Sequence, residues 1–125
     1  MSRTTVLVVD DAQFMRSMLR QVLENSGRYE VLAEASTGLE AVELAGRLHP
    51  QLVTMDIVMP EMDGIEATRR IVEADPSCRI VMCSSQSQES AVIDSIVAGA
   101  RDFILKPFTP ESVLGTLEAV LQSEC

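Results

Sequence analysis

Aromatic residues are nearly missing from this chain of 125 residues: no Trp, one Tyr and three Phe, 3% in all. Any core must therefore be aliphatic, assembled from Val, Ile, Leu, Met and Ala. Apolar residues reach 46%, too many for a disordered chain. Basic residues are also short, 10 against 19 acidic, for a net charge of −9. Neutralising phosphates takes a basic face, so this balance argues against nucleic acid as a direct ligand and against adhesion to an anionic membrane. No apolar run approaches the length of a membrane span. The opening Met-Ser-Arg-Thr-Thr leads straight into a strand pattern, with no signal-peptide apolar region. Cysteine is scarce and odd in number, and Cys78, Cys83 and Cys125 lack metal-ligand spacing. Cys83 ends an apolar run and reads as a buried small hydrophobe. A reducing, cytoplasmic setting fits this usage. Linkers, repeats and low-complexity segments are missing too. One domain over residues 1–125 is expected, large enough to bury about two-thirds of its unfolded surface.

What is present alternates. Thr5 to Val9 is an uninterrupted apolar run of the kind covered on both faces of a parallel sheet, and it ends in Asp10-Asp11. Phe14, Met15, Met18, Leu19, Val22 and Leu23 then recur at helical spacing, with Ser26-Gly27 as the stop. Tyr29 to Ala35 is a second strand, and Glu30 and Glu34 inside it suit a sheet edge. Thr37 with Glu40 reads as the cap of a second helix, with Leu39, Val42, Ala45 and Leu48 on its inner face. Gly46 weakens that helix by about 1 kcal/mol relative to Ala, and His49-Pro50 ends it. Leu52 to Met55 is a third strand that delivers Asp56 to its carboxyl end. Ile65, Thr68, Ile71 and Val72 mark a third helix, closed by Asp75-Pro76. Ile80 to Cys83 leads to Ser84-Ser85. Val92, Ile93, Ile96 and Val97 mark a fourth helix, stopped by Gly99. Phe103 to Leu105 leads to Lys106-Pro107, and Thr109-Pro110 opens a last helix with Val113, Leu114, Leu117, Val120 and Leu121 inward.

Five strands alternating with five helices predict an α/β fold, a doubly wound parallel sheet of (βα)5 form with right-handed crossovers. Of two strand orders that fit, the flavodoxin-like 2-1-3-4-5 sets strands one and three side by side at the switch point. Asp10, Asp11 and Asp56 then converge above the sheet, with Ser84 and Lys106 on the neighbouring strand ends. Taken singly these residues have ordinary roles. Asp11 can cap the first helix, Lys106 can be a solvated surface lysine, Ser84 a turn residue. Their conjunction at four strand ends points to chemistry. Three carboxylates repel one another unless a cation joins them, and an all-oxygen set with open positions suits Mg²⁺, with Mn²⁺ a possible substitute. A carboxylate that attacks phosphorus forms an acyl phosphate. Lys106 and Ser84 stand where they can contact its oxygens.

The chain resembles the response-regulator receiver domains over essentially its whole length. The matching residues are Val9-Asp10-Asp11, the segment from Met55-Asp56 through Met59-Pro60 to Met62-Asp63-Gly64, Ser84, and Lys106-Pro107-Phe108. The resemblance implies phosphotransfer from a histidine kinase to Asp56. It implies Mg²⁺ held by Asp11, Asp56 and the backbone carbonyl of Val58, with Asp10 acting mainly through water. It implies a cis Lys106-Pro107 bond and a switch made of Ser84 and Phe103, where Thr and Tyr are frequent in the family. Val58 and Gln86 correspond to positions that flank the route of hydrolytic water. Further stretches, Asp11 to Arg16, Thr54 to Ile57, Val92 to Ile96 and Ala98 to Phe103, are similar to the stand-alone chemotaxis regulators of CheY type. Several also match the receiver half of chemotaxis methylesterases of CheB type.

Within that resemblance the expected partners are a CheA-like histidine kinase, a FliM-like flagellar switch protein or another effector, and a separate phosphatase. Signalling would proceed by phosphorylation-controlled protein binding. A monomer that is no enzyme beyond its own phosphotransfer and dephosphorylation is expected. A population shift is the expected mechanism: phosphorylated Asp56 draws Ser84 inward, Phe103 turns into the vacated space, and the surface of the fourth helix, fifth strand and fifth helix changes shape. Three other readings compete. A phosphohydrolase needs an acid two residues after the nucleophile, where Val58 stands. An FMN carrier needs a phosphate loop after strand one, where two aspartates stand. An unphosphorylated scaffold would not need the intact set of Asp10, Asp11, Asp56, Ser84 and Lys106.

Overall fold

A computed structural model describes residues 3–86 and 88–123. Its elements run β1 (Thr4–Val9), α1 (Gln13–Asn25), β2 (Tyr29–Ala35), α2 (Gly38–Leu48), β3 (Leu52–Met55), α3 (Gly64–Ala74), β4 (Arg79–Ser84), α4 (Glu89–Ala98), β5 (Asp102–Leu105) and α5 (Pro110–Gln122). The five strands form one parallel sheet in the order β2-β1-β3-β4-β5, as the flavodoxin-like pattern predicts. β2, with its interrupting glutamates, lies at an edge.

Strand side chains alternate between two aliphatic cores. Leu7, Val9, Val53, Met55, Ile80 and Met82 pack with Ala41, Ala45, Ala67, Ile71 and Ala91, so α2, α3 and α4 cover that face. Val6, Val8, Leu52, Val81, Cys83 and Ile104 pack with Leu19, Leu23, Val113, Leu117 and Val120, so α1 and α5 cover the other. β1 and β3 are buried throughout the register they share, Val6–Val9 beside Leu52–Met55. That explains their lack of polar alternation. Cys83 is buried as expected and its thiol is pushed up to about 12 by burial. Cys125 lies outside the described residues.

Local chemistry sets the helix ends. The Thr37 hydroxyl accepts from the Glu40 N–H, while the Glu40 carboxylate reaches back to the Ser36 N–H. Thr109 and Ser112 form a reciprocal capping box with Pro110 between them. His49 ends α2 in a left-handed conformation (φ 51°).

The inner face of α2 differs from the sequence expectation. Leu39 and Leu48 are on the surface, and Gly38, Ala41 and Ala45 face the core. These small residues bring the helix close, and a Cβ on Gly38 would stand 2.9 Å from the Met62 Cβ. α4 behaves alike. Ala91 and Ser95 are its buried positions, and Ile93, Ile96 and Val97 point to solvent. The buried Ser95 hydroxyl donates to its own helix at the Ala91 carbonyl. On α1, Phe14 and Met18 are exposed, whereas Leu19 and Leu23 supply the core contact. Where a helix is apolar on two sides, periodicity locates the helix and side-chain volume selects the side that packs.

Candidate functional site

Four strand ends surround the crevice between β1 and β3. Asp10 follows β1 and is paired through its N–H to the Ala35 carbonyl of β2. Asp56 follows β3, and its N–H donates to the Val9 carbonyl of β1. Asp10 and Asp56 are buried and Asp11 is exposed, yet each of the three offers a carboxylate oxygen within 4.8 Å of the others. Lys106, beyond β5, sends its ammonium over this crevice, 2.7 Å from Asp10 Oδ2 and 3.6 Å from Asp56 Oδ2. The Lys106-Pro107 bond is cis. Ser84, the last residue of β4, is buried, and its Oγ accepts from the Gln86 N–H.

Asp11 is not a helix cap. The N-cap of α1 is Ala12, which has no side-chain cap bond, and it is Asp10 Oδ1 that accepts from the Ala12 N–H at 2.9 Å. Asp10 is thus committed at both oxygens, to Ala12 and to Lys106. Asp56 Oδ1 accepts from the Ile57 N–H at 2.8 Å.

Electrostatics separates these groups. Burial pushes the Asp56 carboxyl up to about 6. Lys106 opposes this, and the nearby charge of Asp10 adds to it. Burial also pulls Lys106 down, but the hydrogen bond from its ammonium to Asp10 and the charge of Asp56 outweigh it, leaving the amine above its ordinary value. One ammonium therefore does not balance the crevice. A cluster of oxygen donors with excess negative charge fits a hard dication, and Asp10, Asp11 and Asp56 are the residues that would hold it.

Beside the crevice, the loop after β3 and the start of α4 enclose an open depression of about 380 Å³, lined by Val58 and Gln86 among others. Both proposed water-route residues therefore border one opening. Phe103 is half-buried on β5 beside Met82 and packs against the α2-α3-α4 core. Sequence reasoning placed Glu34 in an edge strand and Arg16 in a family-like stretch but gave neither a role at this site. Arg16 donates from Nη1 to the Asp10 carbonyl at 2.7 Å and from Nε to Glu34 at 2.9 Å. The hydrogen bond from Arg20 holds Glu34 below the usual carboxylate range, against a smaller effect of burial, and Arg16 adds to it. The signal in the sequence was an arginine one turn past the acidic pair and an acid inside an apolar edge strand. Nothing local joins residues so far apart. Gly64 entered the sequence reading only as part of the Met62-Asp63-Gly64 match, with no packing role. A Cβ there would overlap the Asp56 carbonyl oxygen.

Comparisons with known proteins agree on one family. The model of the response regulator receiver domain matches residues 6–118. The chain is 52% identical over 116 residues to the chemotaxis protein CheY of Bacillus subtilis, covering 93% of this chain and 96% of that protein. It is 51% identical over 115 residues to CheY of Thermotoga maritima, covering 92% and 95%. Among solved structures it is similar to the CheX-CheY-BeF3-Mg²⁺ complex from Borrelia burgdorferi. There the TM-score is 0.90 at 35% identity, with 95% of this chain and 90% of that chain covered.

Proposed function

The chain belongs to the response regulator receiver domains, and from that premise we propose that it is a chemotaxis response regulator whose output is set by phosphorylation of Asp56. One observation carries this reading. A buried strand-end carboxylate has two further carboxylates within 4.8 Å and an ammonium at 3.6 Å. An Asp56 oxygen attacks the phosphorus of a phosphohistidine on a CheA-like kinase. The P–O bond forms as the P–N bond breaks, and the imidazole nitrogen leaves with the electron pair. A carboxyl with a pKa of about 6 is ionised at neutral pH and so is a competent nucleophile. Lys106 offsets charge on the phosphoryl oxygens, and the Ser84 hydroxyl turns from its local bond to donate to one of them. Mg²⁺ or Mn²⁺, held by Asp11, Asp56 and the Val58 carbonyl, with Asp10 mainly through water, would supply positive charge that lets the anionic reactants approach. The double commitment of Asp10 to Ala12 and Lys106 supports its more distant role.

Incubation with Mg²⁺ and phosphoramidate, followed by intact mass measurement, tests this. One base-labile phosphoryl group is expected on the wild type and none on Asp56→Asn. An unmodified wild type would refute the reading.

Output follows from Ser84 and Phe103. Movement of Ser84 toward the phosphoryl group opens space for Phe103, which reshapes the α4-β5-α5 surface. Ile93, Ile96, Val97 and Leu105 already expose apolar contact area there. A FliM-like switch protein or another effector is the partner, and Phe103→Ala should make its affinity insensitive to phosphorylation, as titration of both forms would read. The lifetime of the phosphoryl group depends on Gln86, since Val58 cannot orient water. Gln86→Ala should slow dephosphorylation severalfold in a decay assay. A separate phosphatase acts on the same opening, and a CheX-type protein is a candidate partner there because the Borrelia relative forms a complex with CheX. The protein works as a cytoplasmic monomer and catalyses nothing but its own phosphotransfer and dephosphorylation.

A further inference from the structure

We propose that Arg16 is the positioning residue for the acidic pair Asp10-Asp11, braced by Glu34 of the edge strand β2. This inference rests on the proposed function. After Asp10 the chain leaves the sheet and must turn into α1 within two residues, and the aim of both carboxylates depends on that turn. It is held from inside by Asp10 Oδ1 on the Ala12 N–H and from outside by the Arg16 guanidinium on the Asp10 carbonyl. The guanidinium is itself fixed, because Glu34 Oε1 accepts from its Nε, while Glu34 Oε2 accepts from Arg20 Nε at 2.8 Å. The Arg16 side chain is only 16% exposed, so water does not readily replace these bonds. Glu34 sits beside Val8, two residues before the turn, so the brace is anchored on the sheet itself.

The charges explain why the brace is a pair. A bare guanidinium this close would oppose a cation in the crevice. Glu34 offsets it, and Arg20, which shares Glu34, is balanced in turn by Glu24 at 3.1 Å, so the geometry is kept with little net repulsion. This gives opposite expectations for positioning and for charge alone. If Arg16 acted only as a charge, Arg16→Gln would tighten cation binding, and Arg16→Lys would leave it unchanged. If Arg16 positions the turn, both variants weaken it, because a single ammonium cannot reproduce the rigid fork that joins two acceptors.

The experiment is calorimetric titration of the folded wild type, Arg16→Lys, Arg16→Gln and Glu34→Gln with Mg²⁺. Urea unfolding in EDTA and phosphoramidate labelling run alongside. Both Arg16 variants should raise the Mg²⁺ dissociation constant roughly tenfold, the usual scale for losing an outer-shell partner. Glu34→Gln should raise it severalfold by releasing the charge of Arg16. These losses should not track the unfolding midpoints in EDTA, as they would if the brace only joined α1 to β2. Wild-type affinity in Arg16→Lys, or tighter binding in Arg16→Gln, overturns the inference while a labelled wild type leaves the proposed function standing. A wild type that binds no Mg²⁺ and takes no phosphoryl group overturns both.

Discussion

Asp56→Asn is expected to raise the stability of the metal-free protein at pH 7 by about 2–3 kcal/mol while removing the proposed phosphorylation site. The cause is the buried carboxylate. Its folded pKa is about 6, against roughly 3.9 for an unfolded Asp. An acid with a raised folded pKa is favoured in its protonated form, so between about pH 4 and pH 6 the folded state holds a proton that the unfolded state has lost. Stability therefore falls as pH rises through that window. Each pH unit of separation is worth about 1.4 kcal/mol, which sets the size of the effect. The advantage of the Asn variant should be near zero at about pH 4, grow with pH, and level off above about pH 6–7. Urea unfolding of both proteins across this range measures it. Millimolar Mg²⁺ should narrow the gap at pH 7 by stabilising the wild type through binding. A variant no more stable than wild type at pH 7 in EDTA would mean that the crevice does not strain against its own charge.

Gly64→Ala should cost more than the same change at any other glycine of the chain, about 3 kcal/mol or more, and should slow phosphoramidate labelling at least tenfold. Gly64 opens α3, directly after the Asp63 cap, and its N–H donates to the Ile57 carbonyl at 2.7 Å. A Cβ at this position would overlap the Asp56 carbonyl oxygen and stand 2.8 Å from its carbon and 2.9 Å from Met55 Cγ. Backbone cannot move aside as a flexible side chain can, so either α3 retreats from the sheet or the peptide after Asp56 shifts, and both misplace the carboxylate. Gly46→Ala is the control. Nothing lies within 4 Å of a Cβ there, so this variant should gain about 0.5–1 kcal/mol from helix propensity. Thermal or urea unfolding of the two variants against wild type should move in opposite directions. Equal small shifts would contradict the close packing of α3 on the Asp56 peptide.

Part of this was legible in the sequence because its cause is local. Continuous apolar runs in Val6–Val9 and Leu52–Met55 mark strands covered on both faces. The proposed site residues lie at or just past the carboxyl ends of strands, so Asp10, Asp56, Ser84 and Lys106 were found by position along the chain. Capping residues and Pro or Gly stops bounded the helices to within a residue or two for the same reason.

What the sequence determined by itself was the alternation of elements, hence the sheet and the strand-end carboxylates that its topology gathers. Only the tertiary structure decided which helix faces turn inward, since on α2 and α4 the small residues won over the larger apolar ones by allowing closer approach. It decided that Asp11 caps nothing and that Asp10 is tied at both oxygens. It also brought Arg16 and Glu34 together across the sheet edge, and raised the Asp56 carboxyl by burying it. Those outcomes depend on distances between segments and on exclusion of water, which exist only once the chain is folded.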